Sequence, residues 1–359
     1  MFGKLDLYII RKFLGTFFFA IILIISITII FDFSEKIDNF IDKEAPFKAV
    51  IFDYYVNFIP YFANLFSALF TFISVIYFTS KMAYDTEIIA ILSSGVSFKR
   101  LMFPYFISAL IIGIFSFFLS NFIIPPANAK RLEFTDTYLK KRFVNKERNI
   151  HRQIEPGLFI YMSNFETSSK TGYKFSLEKF EGKQLVSKLT SRSIKWNEDK
   201  EKWTIKDYFI RNIDGEKESF EKGRSIDTLL NFGPEEFSRR TDVVEAMNMF
   251  ELDDFIDEQI MRGDSNISAY KIEKFRRIAN PFSAFILTLI GVSLACRKVR
   301  GGMGLHLGIG LALSFSFILF QQISTVFATN GSMDPLLAVW LPNILFSFIA
   351  AYLYRVAPK

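Results

Sequence analysis

Residues 188–211 read KLTSRSIKWNEDKEKWTIKDYFIR. Two tryptophan-bearing runs, 188–196 and 202–211, flank a polar turn at Asn197 to Lys200, a spacing that predicts a β-hairpin. Upstream, Tyr173, Phe175 and Leu177 alternate with Lys174, Ser176 and Glu178, the period of a strand with one buried face. Downstream, Asp214-Gly215 turns the chain again and continues the meander. Residues 157–165 are apolar on both strand faces. That suits a sheet packed on one side and facing a lipid or partner on the other, and an ordinary two-sided β core accounts for it equally well. Six or more short strands in succession point to a sandwich, barrel or jelly roll.

The hairpin lies in a polar stretch, residues 125–274, set between two strongly apolar blocks. The chain has 359 residues, half of them hydrophobic, yet 22% are charged. The two populations segregate: apolar residues collect in runs long enough for a bilayer, which needs roughly 20 residues per helix, and charges collect between them. Three such runs precede the polar stretch and three follow. A polar insert of this size does not lie in hydrocarbon, so its side of the membrane fixes the side of every other loop. The expected fold is an α-helical polytopic membrane protein, six transmembrane helices in a 3+3 arrangement, with an inserted β-rich domain. Residues 1–124 carry spans one to three, 125–275 the insert with a helical return segment, and 276–359 spans four to six.

Residues 13–33 are an unbroken apolar run, too long for a signal-peptide core and without a small-residue cleavage site, which predicts a retained first span. Residues 34–53 read as an acidic loop. In the second run, Asn57, Pro60, Asn64, Ser67, Thr71 and Ser74 recur at three and four and form one helical face. Lipid supplies no hydrophobic drive between helices, so such small and polar faces make the close helix contacts. The same device recurs at Ala109, Gly113, Ser116 and Ser120; at Ala284, Thr288, Gly291 and Ala295; at Gly304, Gly308, Ala312 and Ser316; and at Asn343, Ser347 and Ala350. Counting Lys and Arg in short loops gives Lys4, Arg11, Lys12, Lys81, Lys99, Arg100, Arg297, Lys298, Arg300, Arg355 and Lys359 on one side, with few acids. By the positive-inside rule both termini are cytoplasmic and the insert is outside. The net charge of +6 is thus a topology signal, with no nucleic acid implied.

One loop reads as functional. Asp85 or Thr86 caps a short helix, Ile88, Ile91 and Leu92 form its apolar face, and Gly95 ends it. A capped helix in a cytoplasmic loop is a piece that another protein can grip; a helix resting on the lipid surface has the same pattern. Residues 297–302, Arg-Lys-Val-Arg-Gly-Gly, make a tight turn between spans four and five. The chain has no phosphate-binding loop, no His-Glu-x-x-His and no Gly-x-Ser-x-Gly elbow. With one cysteine, Cys296, and two histidines, His151 and His306, neither a disulfide nor a zinc site is expected. No catalytic residue or cofactor is predicted; energy for any work would enter from a partner.

Several short stretches, in this order and with this topology, resemble the LptF/LptG family of lipopolysaccharide export permeases over nearly the whole chain. They are residues 87–97, Phe250-Glu251-Leu252 with Arg262-Gly263, residues 276–281, Arg300-Gly301-Gly302, and Trp340-Leu341-Pro342-Asn343. The resemblance implies an inner-membrane ABC exporter subunit, itself not an enzyme, that pairs with a second LptF/LptG-type permease and an LptB-type ATPase dimer. It also implies a periplasmic jelly roll that passes lipopolysaccharide toward an LptC-like protein. By similarity, Asp85, Glu87, Ile88, Ile91, Leu92 and Gly95 belong to a coupling helix seated on the ATPase; Leu92 stands where many relatives carry Arg, so a polar contact is missing there. Lys36 and Lys43 are candidates to meet lipid phosphates, Gln321 and Gln322 to line the gate of spans one and five, and Phe159 and Tyr161 to face lipid in the β domain. Two other classes fit the residues alone: a membrane subunit that uses ATPase strokes to act on a periplasmic partner, and a passive scaffold.

Overall fold

A computed structural model of the chain describes residues 3–139, 147–237, 241–297 and 302–357. They divide into two compact units, one made of Met1–Leu139, Val244–Leu252 and Ser268–Lys359, the other of Lys140–Val243 and Asp253–Ile267.

The first unit is helical. In order it contains α1 (Lys4–Asp42), a single turn α2 (Phe47–Ala49), α3 (Val56–Leu65), α4 (Ser67–Tyr84), α5 (Glu87–Ser93), α6 (Phe98–Phe118) and α7 (Ile124–Phe134). After the insert come α8 (Met249–Arg262), within which the two units divide, α9 (Ile267–Ala295), α10 (Gly302–Thr329) and α11 (Pro335–Val356). Among the described residues five helices are long and apolar enough to cross a membrane, and a sixth is gained if the pair Phe47–Leu65 and Ser67–Tyr84, bent by 59°, is one span.

The first span outruns its apolar run. At about 1.5 Å per residue the 39 residues of α1 extend about 58 Å, against a hydrocarbon core of about 30 Å. The expected loop at residues 34–53 is therefore helical as far as Asp42. Phe33, Ile37, Phe40 and Ile41 continue the helical spacing, Phe40 is buried against Tyr54 and Phe134, and Lys36 pairs with Asp32 one turn back. The second run, expected to carry one helical face from Asn57 to Ser74, is broken at Phe66.

The small and polar faces do pack, with one exception. Asn64 accepts a hydrogen bond from Ser116 (2.6 Å) and donates to Ser120 (2.9 Å), tying α3 to helix α6 and its π-helical continuation Leu119–Ile123. Thr71 and Ser74 are fully buried, as are Ala109, Thr288 and Ala295. Gly291 lets α9 approach α4: a Cβ there would stand 2.6 Å from Val75 Cγ1. The exception is α10, where Gly304, Gly308, Ala312 and Ser316 lie exposed. The face that turns inward carries Gly310, Ser314 and Phe317, because Gly310 leaves room for Ile76 and Phe317 meets Phe346 edge-on.

The second unit is a six-stranded antiparallel sheet: β1 (Arg148–Glu155), β2 (Leu158–Glu166), β3 (Thr171–Glu181), β4 (Gln184–Asn197), β5 (Lys202–Asp214) and β6 (Lys217–Thr228). Each strand pairs with the next in sequence. The described strands thus form a plain meander, without the crossing connections of a jelly roll, because every turn here is short enough to join only neighbours. The quoted hairpin is β4–β5, with Trp196 opposite Trp203. Its inward face carries Ile194, Trp203 and Ile205, which join Ile150, Ile160, Met162 and Phe175 in one core closed by Phe232 and Phe237. The Trp203 indole N–H donates to the Phe232 carbonyl at 2.8 Å. The alternation predicted in β3 fails at one point. Lys174 has φ +51°, which shifts the strand's facing, so Tyr173 is exposed while Phe175 is buried.

Candidate functional site

The candidate site forms where α4, α5 and α6 meet the start of α1. Two residues, Asp85 and Thr86, separate α4 from α5. The expected side-chain cap is absent: Thr86 turns the chain through a left-handed conformation, φ +63°, and its hydroxyl donates to the Asp85 carbonyl at 2.7 Å. Gly95, at φ +88°, stops the helix as its position predicts, since glycine alone enters that region without a Cβ penalty. Ser97 then caps α6 by accepting from the Arg100 backbone N–H.

The apolar face of α5 is anchored. Ile88 is wholly buried in a core built from Ile9 and Phe13 of α1, Phe78 and Met82 of α4, and Tyr105 of α6, with Ile91 and Leu92 packed against it. Phe78 stacks on Tyr105 (5.2 Å between ring centres), and the Tyr105 hydroxyl lies 3.1 Å from Thr79 Oγ1. Two polar clips complete the fixation. The Tyr8 hydroxyl donates to Glu87 at 3.2 Å, and Arg100 holds Asp6 with two hydrogen bonds, 2.6 and 2.7 Å. Phe98 also meets the ring of Tyr354 in α11. On the other side of α5, Ile89, Ala90 and Ser93 are exposed, beside Tyr84 and Asp85. A short helix, bolted to three long ones and bare on its outer face, can pass a push applied to it directly into those helices.

Sequence reading leaves Asp6 and Tyr8 without a role and gives Arg100 only that of a topology charge. Arg100 lies 94 residues from Asp6, beyond any periodicity signal. An acid in an otherwise basic opening segment was the one hint.

The remaining candidates lie elsewhere and keep separate partners. Lys36 is not on a loop: it is mostly buried on α1, paired with Asp32 and donating to the Tyr54 hydroxyl (2.5 Å), while the Tyr55 hydroxyl donates to Asp32 at 3.2 Å. Lys43 is exposed at the C-terminus of the same helix. Gln321 is half-buried and donates to Asn280 Oδ1 at 3.0 Å; Gln322 is exposed. Asn280 in turn borders a polar cavity of about 60 Å³ together with Asn64, Ser120, Arg276 and Arg277. Arg277 is buried there, bonded to Glu273 and to the carbonyls of Met247 and Val244. In the sheet unit, Phe159 is 38% exposed and meets Phe180 edge-on, and the Tyr161 hydroxyl donates to Asn149. Both lie on the face opposite the core, which also carries the exposed, stacked rings of Phe209 and Phe220. Of the basic turn, Lys298 to Gly301 lie outside the described residues. No group of three His, Cys, Asp or Glu side chains among the described residues could hold a metal ion.

Helices of membrane-crossing length, together with a separate antiparallel sheet, define a multi-pass membrane protein. The match to protein families narrows the class: residues 7–356 fit the family described as lipopolysaccharide export system permease LptF/LptG. The chain belongs to that family, whose members are membrane permeases. A relative named "Uncharacterized protein", from Aquifex aeolicus (strain VF5), is 24% identical over 369 aligned positions that take in 97% of each chain.

Proposed function

We propose that this chain is one half of an ATP-driven exporter that lifts lipopolysaccharide out of the inner membrane. It pairs with a second LptF/LptG-type permease, an LptB-type ATPase dimer drives it, and an LptC-like periplasmic protein receives the lipid. In this reading the six spans run three before and three after the sheet, both termini are cytoplasmic and the sheet is periplasmic. The single observation that supports it best is α5: buried through Ile88, clipped through Glu87, and bare at Ile89, Ala90 and Ser93. A helix resting on lipid would need no such bolting, whereas one that takes the stroke of an ATPase does.

The cycle then follows from mechanics. Closure of the ATPase dimer pushes α5; the core around Ile88 and the Asp6–Arg100 clip pass the displacement to α1, α4 and α6, and the cavity between the two permeases narrows. Lys36, Lys43, Gln321 and Gln322 are the residues assigned to the lipid on its way, and Phe159 and Tyr161 take its acyl chains on the sheet.

The test is reconstitution. The complex purified from native membranes should contain a P-loop ATPase and a second six-span permease, and vesicles holding it should release lipopolysaccharide on ATP addition. Glu87→Lys should abolish release while leaving ATP hydrolysis measurable. A chain that purifies alone, or a Glu87→Lys complex that exports normally, would sink the coupling role. Photo-crosslinkers at Phe159 and Tyr161 should capture lipid, and capture of protein only would assign those rings to packing.

A further inference from the structure

We infer a binding site for an anionic phospholipid on the face of α1 opposite its packed one, in the leaflet where that helix begins. The packed face runs through Ile9, Phe13, Phe17 and Ile21, all buried. On the other face Tyr8, Arg11, Lys12, Gly15 and Phe19 recur at three and four, and with Tyr77 of α4 they border an open groove of about 630 Å³.

Three features of the groove suit a phospholipid. Neither Arg11 nor Lys12 has a carboxylate partner among the described residues, and Lys12 stands over the Tyr8 ring at 5.7 Å, so two cations are left available to one phosphate. Tyr8 and Tyr77 are 39% and 44% exposed, amphipathic rings of the kind that sit at headgroup depth. Beyond them the floor is open: apart from the helix's own backbone and Gly15's chain neighbours, nothing lies within 4 Å of where a Gly15 Cβ would be, and Phe19 continues the groove into apolar sequence. Cations at the mouth, tyrosines at the rim and an uncovered apolar floor match a headgroup followed by an acyl chain. A soluble anion would use the mouth alone; a protein partner would need to bring acids to Arg11 and Lys12 and a ridge to Gly15.

The site is tested on the full chain with whatever subunits copurify, in nanodiscs of phosphatidylcholine doped with either photoactivatable phosphatidylglycerol or photoactivatable phosphatidylcholine. Cross-links at residues 8–19 and at Tyr77 should favour phosphatidylglycerol. Each cation is worth about fivefold, so the Arg11→Gln/Lys12→Gln pair should cut capture by about 25-fold. Gly15→Leu keeps both charges and the helix, and should cut capture by filling the floor; because it leaves topology signals intact, its loss cannot be put down to misinsertion. Equal capture of the two lipids, capture that survives Gly15→Leu, or a groove cross-linked to another subunit would each overturn the site. Competition by inorganic phosphate would overturn the lipid as its source.

Discussion

The Arg100 guanidinium holds the Asp6 carboxylate through two hydrogen bonds of 2.6 and 2.7 Å, although Asp6 is almost wholly buried and Arg100 is half in solvent. Asp6 also accepts from the Gly3 N–H at 2.8 Å, so one carboxylate both caps α1 and fastens it to α6. A buried carboxylate that loses its cation is left uncompensated, which costs far more than losing both partners. Arg100→Ala should therefore lower the thermal midpoint of the full chain in detergent, and adding Asp6→Asn should restore most of the loss. Single effects that simply add would mean the two side chains are not coupled.

Tyr8 and Glu87 separate two roles for one acid. The Tyr8 hydroxyl bond sits at an exposed surface, so Tyr8→Phe should change stability by no more than about 1 kcal/mol. If Glu87 meets the ATPase directly, Tyr8→Phe exports nearly normally and Glu87→Lys does not. Equal losses from both in the vesicle release assay would mean that Glu87 acts by holding α1 through Tyr8.

How far the sequence reached can be read from these same residues. Gly95 announced the end of α5 because only glycine takes φ +88° freely, and Ile88, Ile91 and Leu92 announced its buried face because helical spacing fixes which residues share a side. The hairpin was legible for the same reason: Trp196 and Trp203 bracket a turn at strand period. What stayed hidden depends on partners distant in sequence. Nothing local links Asp6 with Arg100, nothing local tells which of two small faces on α10 turns inward, and the positive φ of Lys174 reverses the alternation that its sequence predicts. The extension of α1 past its apolar run was hidden too, since Ser34 to Asp42 is polar enough to read as loop and is made helical by what Phe40 packs against.

Glu166 gives the sheet a pH dependence. It accepts from Ser169, Tyr173 and Ser168, with the Ser169 hydroxyl the main cause, and together they hold its carboxyl below the usual carboxylate range. A carboxyl whose folded value is depressed stabilises the fold at pH above its unfolded value, and the gain is lost as pH falls through the folded one. Unfolding midpoints followed by tryptophan fluorescence in a Trp340→Phe background, which leaves only Trp196 and Trp203 of the sheet, should therefore fall as the solution is acidified below the ordinary carboxylate range. Glu166→Gln should flatten that part of the profile, and an unchanged profile would show that other carboxylates set it.

Gly157 should be the least replaceable residue of the β1–β2 turn. It has φ +78°, and a Cβ there would lie 2.6 Å from the Phe180 carbonyl oxygen, which itself belongs to backbone that cannot swing away. The Gly157 carbonyl also accepts from the Phe180 N–H at 2.7 Å, so the turn is fastened to β3. Backbone strain and the clash together put the cost of Gly157→Ala at about 2–4 kcal/mol. Gly182, also at positive φ but with open space around it, should cost only about 1 kcal/mol on the same change. Equal midpoints for the two variants in denaturant would mean that the Phe180 contact relaxes.

Lys36 is latched, and the latch makes its proposed role testable. Asp32 and Tyr54 occupy its ammonium, so a lipid phosphate reaching Lys36 must displace Asp32 or share the cation with it. Asp32→Asn keeps the shape and removes the competing charge. If Lys36 meets lipid phosphate during export, cross-linking of lipopolysaccharide at this end of α1 should rise several-fold in Asp32→Asn and fall in Lys36→Gln, because the cation is worth about 1 kcal/mol or more to an anionic headgroup. Lys43, exposed and without such a latch, is the control: Lys43→Gln should reduce capture without any gain from Asp32→Asn in its own step. Were Asp32→Asn to lower the midpoint of the chain and leave capture unchanged, the Asp32–Lys36 pair would be a fastening between α1 and the Tyr54 segment, and the lipid would pass by another route.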